Sequence, residues 1–158
     1  MKKFELTSEF VTFLGKTLFR IKALVSFGDV AEGELGGFIE RENNLDQSGN
    51  AWVCGDAQVC GDARVFGNAW VCGDAWVFGN AWVQNCRDYS ATSCFGSENR
   101  TTTFFRTKDG GISVRCGCFY GTLREFREKV KERHGDSRLA KEYLMLADLM
   151  EFRLSKDE

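Results

Sequence analysis

The run Gly49-Asn-Ala-Trp-Val-Cys54, Gly55-Asp-Ala-Gln-Val-Cys60, Gly61-Asp-Ala-Arg-Val-Phe66, Gly67-Asn-Ala-Trp-Val-Cys72, Gly73-Asp-Ala-Trp-Val-Phe78, Gly79-Asn-Ala-Trp-Val-Gln84 repeats one six-residue unit six times without a slip. In every unit an alanine stands two residues before a valine, a spacing that puts both on the same face of a strand. The residues between and after them point the other way. Gly followed by Asp or Asn supplies a turn, because glycine tolerates positive φ and the Asx side chain bonds to nearby backbone. A helical repeat needs a period near 3.5 or 3.6. A strand this short finds no partner inside its own unit, so it must stack on later units.

The unit resembles the hexapeptide repeat of left-handed β-helices, in which an aliphatic residue is followed four positions later by a small one. Val53 with Ala57 and Val59 with Ala63 carry that resemblance. It implies eighteen-residue coils of three units each, stacked at roughly 4.8 Å, and a threefold-symmetric oligomer. Counting back in sixes and eighteens puts Leu45 and Ile39 at alanine-type positions and Leu35 at a valine-type position, so residues 33–50 read as a further, degenerate coil. About three coils are expected, with open ends that need covering. Residues 4–30, with alternations such as Thr17-Leu18-Phe19-Arg20-Ile21, read as one or two strands able to cap the first coil. The expected division is capping strands over 1–32, a hexapeptide-repeat β-helix over 33–86 and a C-terminal module over 87–158. The fold class is mainly β with α.

Composition narrows the function classes. The 158 residues are 43% hydrophobic and 28% charged with a net charge of −2, which argues against disorder and against general nucleic-acid binding. No apolar run reaches the roughly 18 residues of a membrane span, and the start, Met1 to Thr7, lacks a secretory pattern. Seven cysteines, an odd number, then read as reduced thiols in a cytoplasm. A single histidine leaves little for general-base or zinc chemistry, so the reading is no catalytic residue, no metal and no cofactor.

The outward positions are unusual. Before each valine stand Trp52, Gln58, Arg64, Trp70, Trp76 and Trp82; after each stand Cys54, Cys60, Phe66, Cys72, Phe78 and Gln84. Residues eighteen apart should stack, placing Trp52 beside Trp70, Arg64 beside Trp82 and Cys54 beside Cys72. Trp52, Trp70, Trp76, Trp82, Phe66 and Phe78 would expose a large apolar surface on a monomer. They are expected to be covered by another subunit or by the C-terminal segment; the competing reading is an aromatic platform for a nucleobase. The corner columns, Asp56 with Asp74 among them, read as solvated turns rather than a cation site, and the cysteines as small apolar filler rather than zinc ligands.

After Asn85 the hexads stop. Thr101 to Thr107, a turn at Lys108-Asp109-Gly110-Gly111 and Ile112 to Phe119 read as a hairpin. Its inner face would hold Ile112, Val114, Cys116 and Cys118. Thr122 and Glu125 make a Thr-x-x-Glu capping box ahead of a helix stopped by Gly135, and a second helix starts near Ser137. The expected module is ββαα. The second helix is apolar on both sides, with Leu144, Met145, Leu149 and Phe152 opposite Tyr143, Leu146 and Met150, again pointing to contact between subunits. Arg100, Arg106 and Arg115 with Thr103, near Ser97 and Asn99, would make an anion pocket; the alternative is a solvated hairpin with ordinary charges.

Two longer stretches add a resemblance. FGDV followed by GELGGFIERENNL and GNAWV, and later CGCFYGTLREF followed by HGD and KEY, resemble proteins encoded by bacteriophages and prophages. The resemblance implies an accessory factor in the host cytoplasm. Small factors of that kind sequester nucleotide-type signals or bind a host defence protein directly. The expected function is a non-enzymatic oligomer, a trimer foremost, that sequesters a phosphorylated small molecule. The alternatives are an inhibitor of a host defence protein, a hexapeptide-repeat acyltransferase, and a virion or scaffold component. An acyltransferase of this type uses a histidine on or beside its coils, whereas the lone His134 lies outside them.

Overall fold

The computed structural model describes residues 2–13, 15–95, 100–116 and 119–155. The chain is mainly β with two helices and divides into two compact units, Met1–Cys86 and Arg87–Glu158. No helix among the described residues is long and apolar enough to cross a membrane.

In the first unit each hexad contributes one two-residue strand: β4 (Trp52–Val53), β5 (Gln58–Val59), β6 (Arg64–Val65), β7 (Trp70–Val71), β8 (Trp76–Val77) and β9 (Trp82–Val83). They pair in parallel across eighteen residues, Val53 with Val71, Val59 with Val77 and Val65 with Val83. Trp52 N–H donates to the Ala69 carbonyl at 3.0 Å, Gln58 N–H to Ala75 at 2.9 Å and Arg64 N–H to Ala81 at 3.0 Å, so each layer's amides point to the next layer's carbonyls. All six repeat alanines and all six valines are at most 1% exposed, which places them in the core as their spacing demands. Gly49, Gly55, Gly61, Gly67, Gly73 and Gly79 sit at φ between 62° and 71°, the left-handed region that only glycine enters cheaply.

The layer before the hexads departs from the expected register. In β3 (Leu35–Ile39), Phe38 pairs with Gln58 and Ile39 with Val59, and Leu45 bridges to Val65. The offset is twenty residues, not eighteen (59 − 39 and 65 − 45), so Ile39 and Leu45 hold valine-type positions rather than alanine-type ones. Leu35, expected inside, pairs with Lys22 and is 53% exposed. The two extra residues lie after Leu45. Ile39 and Leu45 are six apart like Val59 and Val65, so the 3-10 turn Glu42–Asn44 fits an ordinary interval, whereas Leu45 and Val53 are eight apart, a surplus that hexad counting does not see.

The N-terminal residues form a hairpin, β1 (Phe4–Phe13) with β2 (Lys16–Ala23), and β2 runs antiparallel to β3. One sheet therefore runs β1-β2-β3-β5-β8, and the outer edge of β3 is paired. On that side of the first regular layer, the Ala57, Val59 and Val65 carbonyls accept from Phe38, Glu40 and Asp46 N–H, and other carbonyls are met by side chains. Asn44, 1% exposed, donates through Nδ2 to the Gly61 and Ala63 carbonyls at 3.1 and 2.8 Å, and its Oδ1 accepts from Arg41 N–H. Lys3 does the same for Ser48, Gly49 and Ala51. Glu40 accepts from Gly61 N–H at 2.8 Å. Burial raises its pKa, but the Gly61 bond with Lys16 and Arg41 outweighs that and holds the carboxyl below its usual value. Asn44→Leu should cost about 2 kcal/mol, since two carbonyls lose their donor in a dry site; chemical denaturation of the full chain measures it, and a loss near zero would show that water replaces the amide.

The second unit is a four-stranded antiparallel sheet in the order β10 (Tyr89–Phe95), β11 (Arg100–Arg106), β12 (Ile112–Cys116), β13 (Phe119–Thr122), followed by α1 (Leu123–His134) and α2 (Arg138–Leu154). The ββαα expectation is corrected to ββββαα. A two-stranded hairpin offers too narrow a face to bury two amphipathic helices. Phe104 and Val114 of the sheet pack with Leu123, Phe126 and Val130 of α1 and with Tyr143, Leu146, Ala147 and Met150 of α2. The capping box forms as expected, Glu125 N–H donating to Thr122 Oγ1 at 3.1 Å and Thr122 N–H to Glu125 Oε1 at 2.9 Å.

Candidate functional site

The aromatic row on the hexads is not one exposed patch. Trp52 is fully buried, with the Phe27 ring edge-on at 5.3 Å. Trp76 meets the Phe13 ring edge-on at 4.1 Å, and Phe13 also contacts Phe78 at 5.8 Å. Leu18, Phe38 and Cys60 make a second small core there, with Val11, Phe13 and Phe78 against it. The cover for Trp52 and Trp76 is therefore the chain's own N-terminal segment, where another subunit or the C-terminal segment was expected. For Trp76 the physical reason is length: β1 and β2 have ten and eight residues against two in each hexad strand, so the hairpin end that carries Phe13 reaches past β3 onto the neighbouring layer. On Trp52 the ring is Phe27, from the loop after β2.

Trp70 and Trp82 are half-buried. Trp70 donates through Nε1 to the Asn50 carbonyl at 3.0 Å. Trp82 packs edge-on with Phe66 at 4.9 Å, and the Arg64 guanidinium lies 5.9 Å from its ring centre. Phe66, Trp82 and Arg64 form a local cluster on the β6–β9 flank, and Trp70 stands on the β4–β7 flank, so the tryptophans do not make the continuous surface that counting them implies.

The cysteine expectation is overturned at one pair. Cys54 and Cys72 are joined by a disulfide, with Cα atoms 4.7 Å apart. Their stacking was legible from the eighteen-residue offset; the bond was not, because composition and compartment argued for free thiols. Among the described residues no group of three or more His, Cys, Asp or Glu side chains is placed to hold a metal ion. Asp56 instead faces Arg20, at 3.4 Å.

The C-terminal arginines do not converge. Thr103 lies directly across from Arg115 on one face of the β11–β12 pair. Arg106, three positions along β11, falls on the opposite face with Phe104's side chain, as strand alternation requires. There it faces Asp88 at 3.6 Å, both side chains being close to nine-tenths buried. Arg100 opens β11 opposite Phe95 and shares Arg106's alternation; its side chain lies outside the described part, as do Ser97, Asn99 and Cys118. A pocket of Arg100, Arg106, Arg115 and Thr103 together is thus not what the sheet builds. Adjacent positions in sequence suggested one site, and the pleat separates them. Thr103 itself is 1% exposed.

His134 ends α1 and stacks on the Tyr143 ring at 5.6 Å, within the second unit. On α2, Met145, Leu149 and Phe152 are 71, 55 and 76% exposed, and their i, i+4, i+7 spacing aligns them on one face. The sequence pattern, apolar on both sides of this helix, identified that stripe.

A family model described as the YdcK β-solenoid repeat matches residues 57–73. The match spans about one eighteen-residue turn and agrees with the pairing of β5 with β8 across that interval. No curated protein matches the chain. The hexads are thus similar to a β-solenoid repeat.

Proposed function

We propose that the chain is a non-enzymatic, oligomeric binding protein of phage origin that acts in the host cytoplasm by engaging a host defence protein. In this reading the hexads wind as a left-handed solenoid of about three coils and serve as a rigid support. The observation that favours a protein over a nucleotide-type ligand is the division of the arginines between two sheet faces, with Arg106 held against Asp88. The oligomer rests on the α2 stripe of Met145, Leu149 and Phe152, three large apolar side chains in water on the helix whose other apolar face is buried through Tyr143, Leu146 and Met150. A second copy of the chain is the occupant, since soluble oligomers are most often built from identical subunits.

The test has two parts. Light scattering of the full chain should give a multiple of 17.8 kDa, and a Leu149→Glu/Phe152→Glu variant should fall to a single chain with its melting temperature unchanged. A wild type that runs as a monomer removes the oligomer. Expressed in trans, the chain should restore phage plating on defence-bearing hosts, and the double variant should not. Native mass spectrometry showing a stoichiometric nucleotide adduct would overturn protein capture in favour of nucleotide sequestration.

A further inference from the structure

The geometry points to a reversible thiol–disulfide site at Cys54 and Cys72, one that locks or releases a single eighteen-residue turn of the stack. Cys54 and Cys72 follow Val53 and Val71, which pair directly in β4 and β7. The backbone holds them in place from both sides: Trp52 N–H donates to Ala69 at 3.0 Å, Cys54 N–H to Val71 at 2.8 Å and Asp56 N–H to Gly73 at 3.1 Å. A Cα separation of 4.7 Å lies inside the range that a disulfide spans. Because the ladder and not the sulfur bond sets this distance, reduction leaves the two thiols facing each other, ready to close again.

Access favours exchange as well. Both cysteines are half-buried, and each is followed by two exposed residues, Gly55-Asp56 and Gly73-Asp74, so a small reagent can reach them. The pairing is particular to this flank. Eighteen residues beyond Cys60 stands Phe78, and eighteen beyond Phe66 stands Gln84, so within the hexads a cysteine stacks on a cysteine at this flank alone. Cys60 itself is 3% exposed, beneath Leu18 and Phe38.

With oxidised glutathione as the oxidant, the thiolate of one cysteine attacks a glutathione sulfur. A mixed disulfide forms and one glutathione leaves as its thiol. The second cysteine thiolate then attacks the protein-bound sulfur, and the second glutathione leaves. The protein gives up two electrons and two protons, which depart in two glutathione thiols. Closing this loop restricts the unfolded chain, and a loop of this length should raise the unfolding temperature by roughly 10 °C.

The experiment treats the full chain with oxidised glutathione, traps remaining thiols with N-ethylmaleimide and maps the labelled peptides. Cys54 and Cys72 should lose their label together and regain it after dithiothreitol, over repeated cycles. The oxidised form should melt roughly 10 °C above the reduced form. That difference should vanish in Cys54→Ala/Cys72→Ala and persist in Cys86→Ser, which leaves the pair intact. Labelling of both cysteines after oxidation, closure that dithiothreitol cannot reverse, or equal melting temperatures for the two forms would overturn the site.

Discussion

Lys3→Met should destabilise the first unit by about 2 kcal/mol at pH 7, lowering its melting temperature by roughly 10 °C. Lys3 is 5% exposed, and its Nζ donates to the Ala51 carbonyl at 2.7 Å and to Gly49 and Ser48 at 3.3 and 3.4 Å. These carbonyls lie on the open side of the first regular layer, where no strand supplies amides. Methionine fills the same volume and donates nothing, so three acceptors lose their common partner. Removing a buried charge returns some desolvation energy, which keeps the net loss below the sum of three bonds.

The pH dependence separates these two effects. Burial lowers the Lys3 pKa from 10.5 to about 8, with Asp46 pulling the other way. Below 8 both the folded and the unfolded chain are protonated. Between 8 and 10.5 the unfolded chain keeps the proton that the folded chain sheds, so the wild type gains stability as pH rises through that window. The neutral amine still donates. The deficit of Lys3→Met should therefore widen from pH 7 to pH 10.5, read by thermal melts of both proteins. A constant or shrinking deficit would mean that burial does not penalise this ammonium.

Gly36→Ala should cost about 3 kcal/mol, the upper range for overpacking. A Cβ there would sit 2.5 Å from the Val53 carbonyl oxygen, 2.7 Å from Ile21 Cγ1 and 2.8 Å from Trp52 Cζ2. The first of these is backbone and held by the ladder, so no rotamer change relieves it. Gly73 gives the contrast: it has φ +69°, and a Cβ added there would meet nothing within 4 Å. Gly73→Ala should cost only about 1 kcal/mol, the penalty of the left-handed region. Denaturant midpoints of the two variants settle the order. If Gly73→Ala were the worse, backbone conformation rather than space would limit this unit.

Much of the repeat was legible because its determinants are local. The interval of two between Ala and Val, the Gly-Asx corners and the offset of eighteen all follow from strand alternation and turn chemistry, and the burial of Val59, Ala63 and their equivalents follows with them. The Thr122–Glu125 box and the stop at Gly135 are equally local. The stretch Tyr89–Phe95 gave a weaker signal: its Ser, Ala and Thr residues carry no clear apolar alternation, and it becomes a strand through pairing with β11.

The features that bear on function were decided at longer range. A two-residue surplus between Leu45 and Val53 moves Ile39 and Leu45 from one row of the core to the other, and no local pattern marks it. Phe13 of the hairpin and Phe27 of the loop after it, which meet Trp76 and Trp52, come from the start of the chain, so the surplus of outward tryptophan was partly answered within the same unit. Arg106 meets Asp88, which lies before β10 and far from it in sequence. The period, the inward rows and the places where glycine must stand could be read from the chain alone, since each depends on neighbouring backbone angles. Which outward side chains are covered, and which end-layer carbonyls Lys3 and Asn44 satisfy, came only with the folded chain, because those depend on which distant segment arrives at a given surface.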